Sequence, residues 1–199
     1  MLRSTIAAAT AGVVAVLALA GCSSAAQDEV VYHSSYPVYA SADELTDAAS
    51  VVVVGEVLSS EVREIDVAAP ADPAGDPELD PAAGATDGGA SSVFVFTVHQ
   101  VRVDQVIAGD AAVGDVIEVS QLGGSFKGRQ HREEGATVLK AKKAYALYLQ
   151  TYDSGDPASL LNATQAAYAR GSRAAFEPVD PTNPIGPAVV ADLKARKAR

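Results

Sequence analysis

Two Val-rich stretches, Val51 to Val67 and Val93 to Ile107, flank a segment that suits no packed element. Residues 68–92 hold Pro70, Pro73, Pro77 and Pro81 with four glycines and, Thr86 apart, no aromatic or β-branched side chain. Such a segment buries too little apolar area to offset the entropy of ordering it, so it reads as a disordered acidic insertion between two strands. The flanks read as the strands themselves. Val51-Val52-Val53-Val54 is an unbroken apolar run, the pattern of a strand covered on both faces, and Gly55 after it marks a bend or bulge. In the second stretch Phe94, Phe96 and Val98 share a face by alternation, which places Phe96 in the core. The apolar phase then passes to Val101 and Val103, which puts a β-bulge at His99-Gln100.

The remaining pattern is also strand-like. With 26 Val, 4 Phe and no Trp, the apolar fraction favours strands. Strands are expected at Val116–Leu122, closing on a Gly123-Gly124-Ser125 turn, at Thr137–Leu139 and at Tyr145–Tyr152. Leu160, Leu161, Tyr168 and Phe176 supply short edge elements. Phe126 to Gly135 reads as a polar, mostly basic loop. Ser41 with Glu44 three residues on is a capping box that opens a short N-terminal helix through Leu45, Ala48 and Ala49. Pro187 suits the first turn of a C-terminal helix through Val189, Val190 and Leu193, ending on Lys194, Arg196, Lys197 and Arg199. The expected class is mainly β, a small barrel or sandwich of about five strands with a short helix near each end. The domain is expected over residues 31–177, with a Pro-rich tail and basic short helix over 178–199.

The N-terminus carries an address. Arg3 precedes an uncharged apolar run from Thr5 to Ala20, shorter than the ~20 residues a spanning helix needs. This is the build of an export signal, against the alternatives of a transmembrane anchor or a buried helix with a chance cysteine. The run ends Leu19-Ala20-Gly21-Cys22, which resembles the bacterial lipobox, and Cys22 is the chain's single cysteine. The resemblance implies cleavage between Gly21 and Cys22 and a diacylglyceryl thioether on Cys22. Residues 1–21 are then a lipoprotein signal peptide and 22–30 a lipid-proximal tether. The two acyl chains hold the protein on the extracytoplasmic face of the cell membrane.

A wider resemblance rests on Ser41 to Ala49, Val-Val-Val-Val-Gly-Glu-Val from Val51, and Phe-Thr-Val-His-Gln-Val-Arg-Val-Asp-Gln-Val-Ile-Ala-Gly-Asp from Phe96. Over Ala40 to Tyr168 the chain resembles actinobacterial secreted lipoproteins of unknown function. More distantly it is similar to the netrin/tissue-inhibitor-of-metalloproteinase module, which implies an OB-like barrel. The cystines of the animal module are missing here, and its metal-binding N-terminal cysteine has no counterpart, because Cys22 is the lipid site. Metalloproteinase inhibition therefore does not carry over.

Charge and composition narrow the function. A net charge of −10 and an isoelectric point near 4.6 argue against nucleic acid as a partner. One cysteine excludes an intrachain disulfide and any Cys-rich zinc site.

Few residues suggest catalysis. His131 and Glu133 fall on one side of an extended segment as two metal ligands, or belong to a solvated loop. Gly123-Gly124-Ser125-Phe126 is weakly like a nucleophile turn, but residue 127 is Lys where Gly is wanted. Asp76-x-Glu78-x-Asp80 imitates the start of a calcium loop, with Pro81 where Gly is required. Lys127, Arg129, Arg132, Lys140, Lys142 and Lys143 form a local basic excess that suits an anionic partner, the acidic insertion, or solvent. The expectation is a non-enzymatic binding or structural domain with no cofactor, its partners the membrane through Cys22 and an unidentified envelope protein or ligand. The alternative is a small envelope hydrolase using Ser125 or a His131-centred metal.

Overall fold

The computed structural model describes residues 29–67, 93–171 and 175–189. The signal segment, the cleavage and lipidation residues Gly21 and Cys22, the insertion 68–92 and the chain beyond residue 189 lie outside the described residues. The fold is mainly β. β1 (Glu29–Tyr32) precedes α1 (Ala42–Ala48), β2 (Val51–Asp66), β3 (Val93–Ala108), β4 (Val116–Phe126) and β5 (Arg129–Glu133). β6 (Ala144–Gln150), β7 (Ala158–Leu160), β8 (Ala167–Arg170), β9 (Ala175–Pro178) and β10 (Ala188–Val189) complete it.

β2 and β3 form one long antiparallel pair from Val52↔Ala108 to Asp66↔Val93, so the two Val-rich stretches pair up to the last described residues beside the 68–92 segment. β2 lies between β3 and β6, which covers the four-valine run: Val51 to Val54 are all buried. A Cβ on Gly55 would stand 2.6 Å from the Arg102 carbonyl oxygen, and a register shift falls beside it. The expected irregularity at Gly55 is present.

The bulge expected at His99-Gln100 is not in β3 on its β4 side. There the register runs unbroken from Phe96↔Leu122 to Arg102↔Val116. The shift lies on β2, where Leu58 is the extra residue opposite Gln100 and Val101. The apparent phase slip has another cause. Val101 and Val103 belong to the core face, and that face continues back through His99, whose ring is fully buried by hydrogen bonding rather than by being apolar. Phe94 and Phe96 stand on the opposite face. Val98 on that face is fully buried, but Phe96 is half-buried rather than a core side chain. The fully buried aromatics are Tyr145, Tyr148, Tyr168 and Phe176.

Other expectations change as well. Gly123 and Gly124 do not end β4. They carry it on, with φ of 108° and 139°, into a second pairing with β5. The stretch read as a basic loop is a hairpin arm, joined by Lys127-Gly128 with both φ positive, the requirement of a type I′ turn. Thr137 to Leu139 forms no strand, because the Gln121 side chain takes its backbone: Gln121 Nε2 donates to the Thr137 carbonyl at 2.7 Å, and the Leu139 N–H donates to Gln121 Oε1 at 2.9 Å.

At the ends, Glu29 and Val30 belong to β1, so the tether does not extend to residue 30. Ala188-Val189 starts no helix and instead pairs with β9. The domain also continues past 177: Pro178 pairs with Tyr168, and Asp180 and Asn183 are buried. The Ser41 half of the capping box forms, with the Glu44 N–H donating to Ser41 Oγ at 3.2 Å and Leu45 buried, while the Glu44 carboxylate accepts from the Ala40 N–H rather than from that of Ser41.

Sheet order is β1-β5-β4-β3-β2-β6-β8-β9-β10. The short β7 lies off this path, antiparallel to β6 through Leu149↔Leu160 and parallel to β4 through Val119↔Ala158. β2, β3, β4, β7 and β6 thus follow one another in a closed circuit of pairings.

Candidate functional site

The residues singled out for chemistry are dispersed or occupied. Ser125 is exposed near the end of β4 and opposite Gln130, while His131 is opposite Gly124. Among the described residues no hydrogen bond joins Ser125 to His131. His131 Nδ1 is 2.8 Å from the Tyr32 hydroxyl, and the two rings stack at 5.8 Å. Glu133 is buried, and the Tyr36 hydroxyl donates to its Oε1 at 2.6 Å. Burial, with the Glu133 carboxylate beside it, pushes the Tyr36 phenol well above its ordinary range. The pair expected to ligate a metal thus fastens the N-terminal segment to β5, alongside the parallel β1–β5 ladder. No group of three His, Cys, Asp or Glu suited to a metal occurs among the described residues.

The basic excess is partly neutralised. Lys127 Nζ is 3.1 Å from Glu64 and lies over the Phe126 ring, and Arg132 meets Glu29 at 2.6 Å. The calcium-like Asp76-x-Glu78-x-Asp80 lies outside the described residues.

Two features are visible only in three dimensions. The first is a polar string that runs from exposed Ser60 through buried His99 to half-buried Gln121. Ser60 Oγ is 2.7 Å from His99 Nδ1, and His99 Nε2 is 3.0 Å from Gln121 Oε1. Gln121 Oε1 also accepts from Leu139 N–H while Nε2 donates to Thr137, so the amide orientation is fixed. An acceptor at Oε1 requires a proton on His99 Nε2. The neutral ring then has its lone pair on Nδ1, and Ser60 donates to it. Burial holds the His99 imidazole below its ordinary basicity, so the neutral form is favoured.

The second feature is a groove over the β7 seam. Two adjoining cavities, of about 380 and 160 Å³, share Phe96, Ser120 and Ser159. The larger extends to Asp66 at the end of β2 and to Tyr152 and Asp156 in the β6–β7 loop. The smaller extends to Tyr36 and Glu133. Phe96 lies where the two meet, which is why a residue with a core-like sequence pattern is only half-buried. Among the described residues no Lys, Arg or His lines either cavity, whereas a third, of about 400 Å³, shares Gln121, Leu122 and Glu133 with the smaller and is lined by His131 and Arg132. Sequence offered one partial signal, the alternating aromatics of β3, because the other walls come from segments far apart in the chain.

A comparison of the chain with protein-family models, curated proteins and solved structures finds no match.

Proposed function

We propose that the chain is a membrane-anchored extracytoplasmic lipoprotein, held by a diacylglyceryl group on Cys22, whose domain is an OB-like β-barrel with a non-enzymatic binding role. The anchor is supported by the Leu-Ala-Gly-Cys run after an export-type apolar stretch, with the only cysteine at the required place. The barrel is supported by the five-strand circuit β2-β3-β4-β7-β6, in which β4–β7 is the one parallel step. Two register pairs on each side of β7 complete the circuit, as suits a small, partly open barrel.

The observation that carries a binding role is the groove over that seam. Its larger cavity is of ligand-binding size, lined by Ile65, Val67, Phe96 and Pro157 together with a few polar groups. The hydrolase reading, through Ser125 or a His131-centred metal, has less support. His131 and Glu133 are engaged by Tyr32 and Tyr36, and a hydrolytic serine needs an oriented base beside it. The test is fractionation of cells grown with an alkyne-tagged fatty acid. The wild-type chain is expected in the membrane fraction carrying the tag, and Cys22→Ser in the medium or as uncleaved precursor without it. Equal tagging of both chains overturns the anchor.

A further inference from the structure

We propose that the groove over the β7 seam binds an extended oligosaccharide free of acidic groups, with sugar rings against Phe96 and Tyr152 and hydroxyl or amino groups received by Asp156 and the seam serines. This rests on the reading of the domain as a binding module and names what it binds.

Charge supplies the first argument. Asp66 and Asp156 line the larger cavity, and Glu133 lines the smaller one. Among the described residues no basic side chain lines either cavity, and His131 and Arg132 line a third that shares Glu133 with the smaller, so it is in the larger cavity that a phosphate, sulfate or uronate would enter an acidic cleft unpaired on a chain of net charge −10. Neutral sugars meet no such penalty, and an amino sugar gains a partner.

The second argument is backbone pairing. An extended peptide docks most readily by adding a strand to a free sheet edge. Ser159, at the centre of the groove, is paired with Ser120 on one side and Gln150 on the other, so the seam offers no free edge there. Recognition must come from side chains. Those present are aromatic surfaces and short hydroxyls. Tyr152 is about half exposed (47%), and its hydroxyl lies 2.7 Å from Ser159 Oγ. Ser154 Oγ donates to Asp156 Oδ2 at 2.6 Å, which orients that carboxylate. Apolar ring faces between hydrogen-bonding groups of this kind match a sugar, which is apolar on its ring faces and polar around its rim.

The third argument is shape. The two cavities adjoin through Phe96, Ser120 and Ser159, so the site is elongated, with room for more than one ring.

The test is titration of the full chain, purified in detergent, with hexamers of glucose, N-acetylglucosamine and glucosamine, followed by intrinsic fluorescence. The protein has no Trp, so its emission is that of tyrosine, and Tyr152 and Tyr36 lie in the groove. A hyaluronan hexamer serves as the acidic sugar and hexalysine as the cationic peptide. At least one of the three non-acidic hexamers is expected to bind, with hyaluronan weaker by about tenfold or more, a difference of ~1.4 kcal/mol. Tyr152→Ala and Asp156→Asn, both at exposed positions, are expected to weaken that binding by about tenfold without unfolding the domain. The proposal is overturned if no non-acidic hexamer binds, if hyaluronan binds equally well, or if both variants bind like wild type. Hexalysine binding at the groove in place of the sugars overturns the glycan assignment but leaves the binding module standing. Loss of the anchor in the fractionation experiment is a separate result.

Discussion

Replacing Gln121 by Ala removes one side chain and disconnects three groups. Its Oε1 accepts from His99 Nε2 and the Leu139 N–H, and its Nε2 donates to the Thr137 carbonyl. His99 and Leu139 are buried, so the groups left behind are not freely solvated. A lost hydrogen bond costs about 1 kcal/mol where its partner is rehydrated and about 1–3 kcal/mol where the partner is left buried and unpaired. With the more open Thr137 end rehydrated and two groups left buried, the expected loss is about 3–7 kcal/mol, a large share of the ~5–15 kcal/mol that holds a domain of this size. Urea unfolding followed by circular dichroism measures it. Gln121→Met keeps the volume without the hydrogen bonds and should lose nearly as much, which separates bonding from packing. A loss below about 1 kcal/mol for Gln121→Ala would refute the reasoning.

The same string predicts a pH dependence. His99 binds its proton less readily folded than unfolded, because burial disfavours the imidazolium. The unfolded chain therefore holds more protons as the pH falls through the ordinary histidine value of 6.5, and stability declines from there down to the lower folded pKa. Urea midpoints measured from pH 8 to 5 should fall, and His99→Gln should flatten the His99 part of that slope. Gly124→Ala puts a Cβ 2.8 Å from Val62 and Thr97 Oγ1 at a φ of 139°, and should cost about 1–3 kcal/mol in the same assay. Phe176→Ala, at a fully buried ring, should cost about 3–5 kcal/mol and Phe96→Ala clearly less; equal losses would contradict the placement of Phe96 in the groove.

What was legible in the sequence was local. The Val51–Val54 run, the Ser41–Glu44 cap and the Gly55 irregularity depend on neighbours a few residues away, and each is present. β5 was missed because Arg129 to Glu133 carries no apolar alternation; it is held by the Lys127-Gly128 turn and by Tyr32 and Tyr36, about a hundred residues earlier. Thr137 to Leu139 has strand-forming residues, but the Gln121 side chain occupies its backbone. His99 misled the phase of β3, since a hydrogen-bonded histidine fills a core position that pattern reading reserves for apolar residues. The groove was the least legible feature, its walls coming from Tyr36, Asp66, Phe96, Ser120, Glu133 and the Tyr152–Ser159 stretch.

The central proposal is that this β domain is held at a membrane through Cys22, and the N-terminal peptide of the protein recovered from membranes tests it most directly. Tandem mass spectrometry of that peptide should show Cys22 as the first residue with a diacylglyceryl group on its sulfur. A peptide that begins at any other residue, or an unmodified Cys22 thiol in membrane-derived protein, would contradict the account.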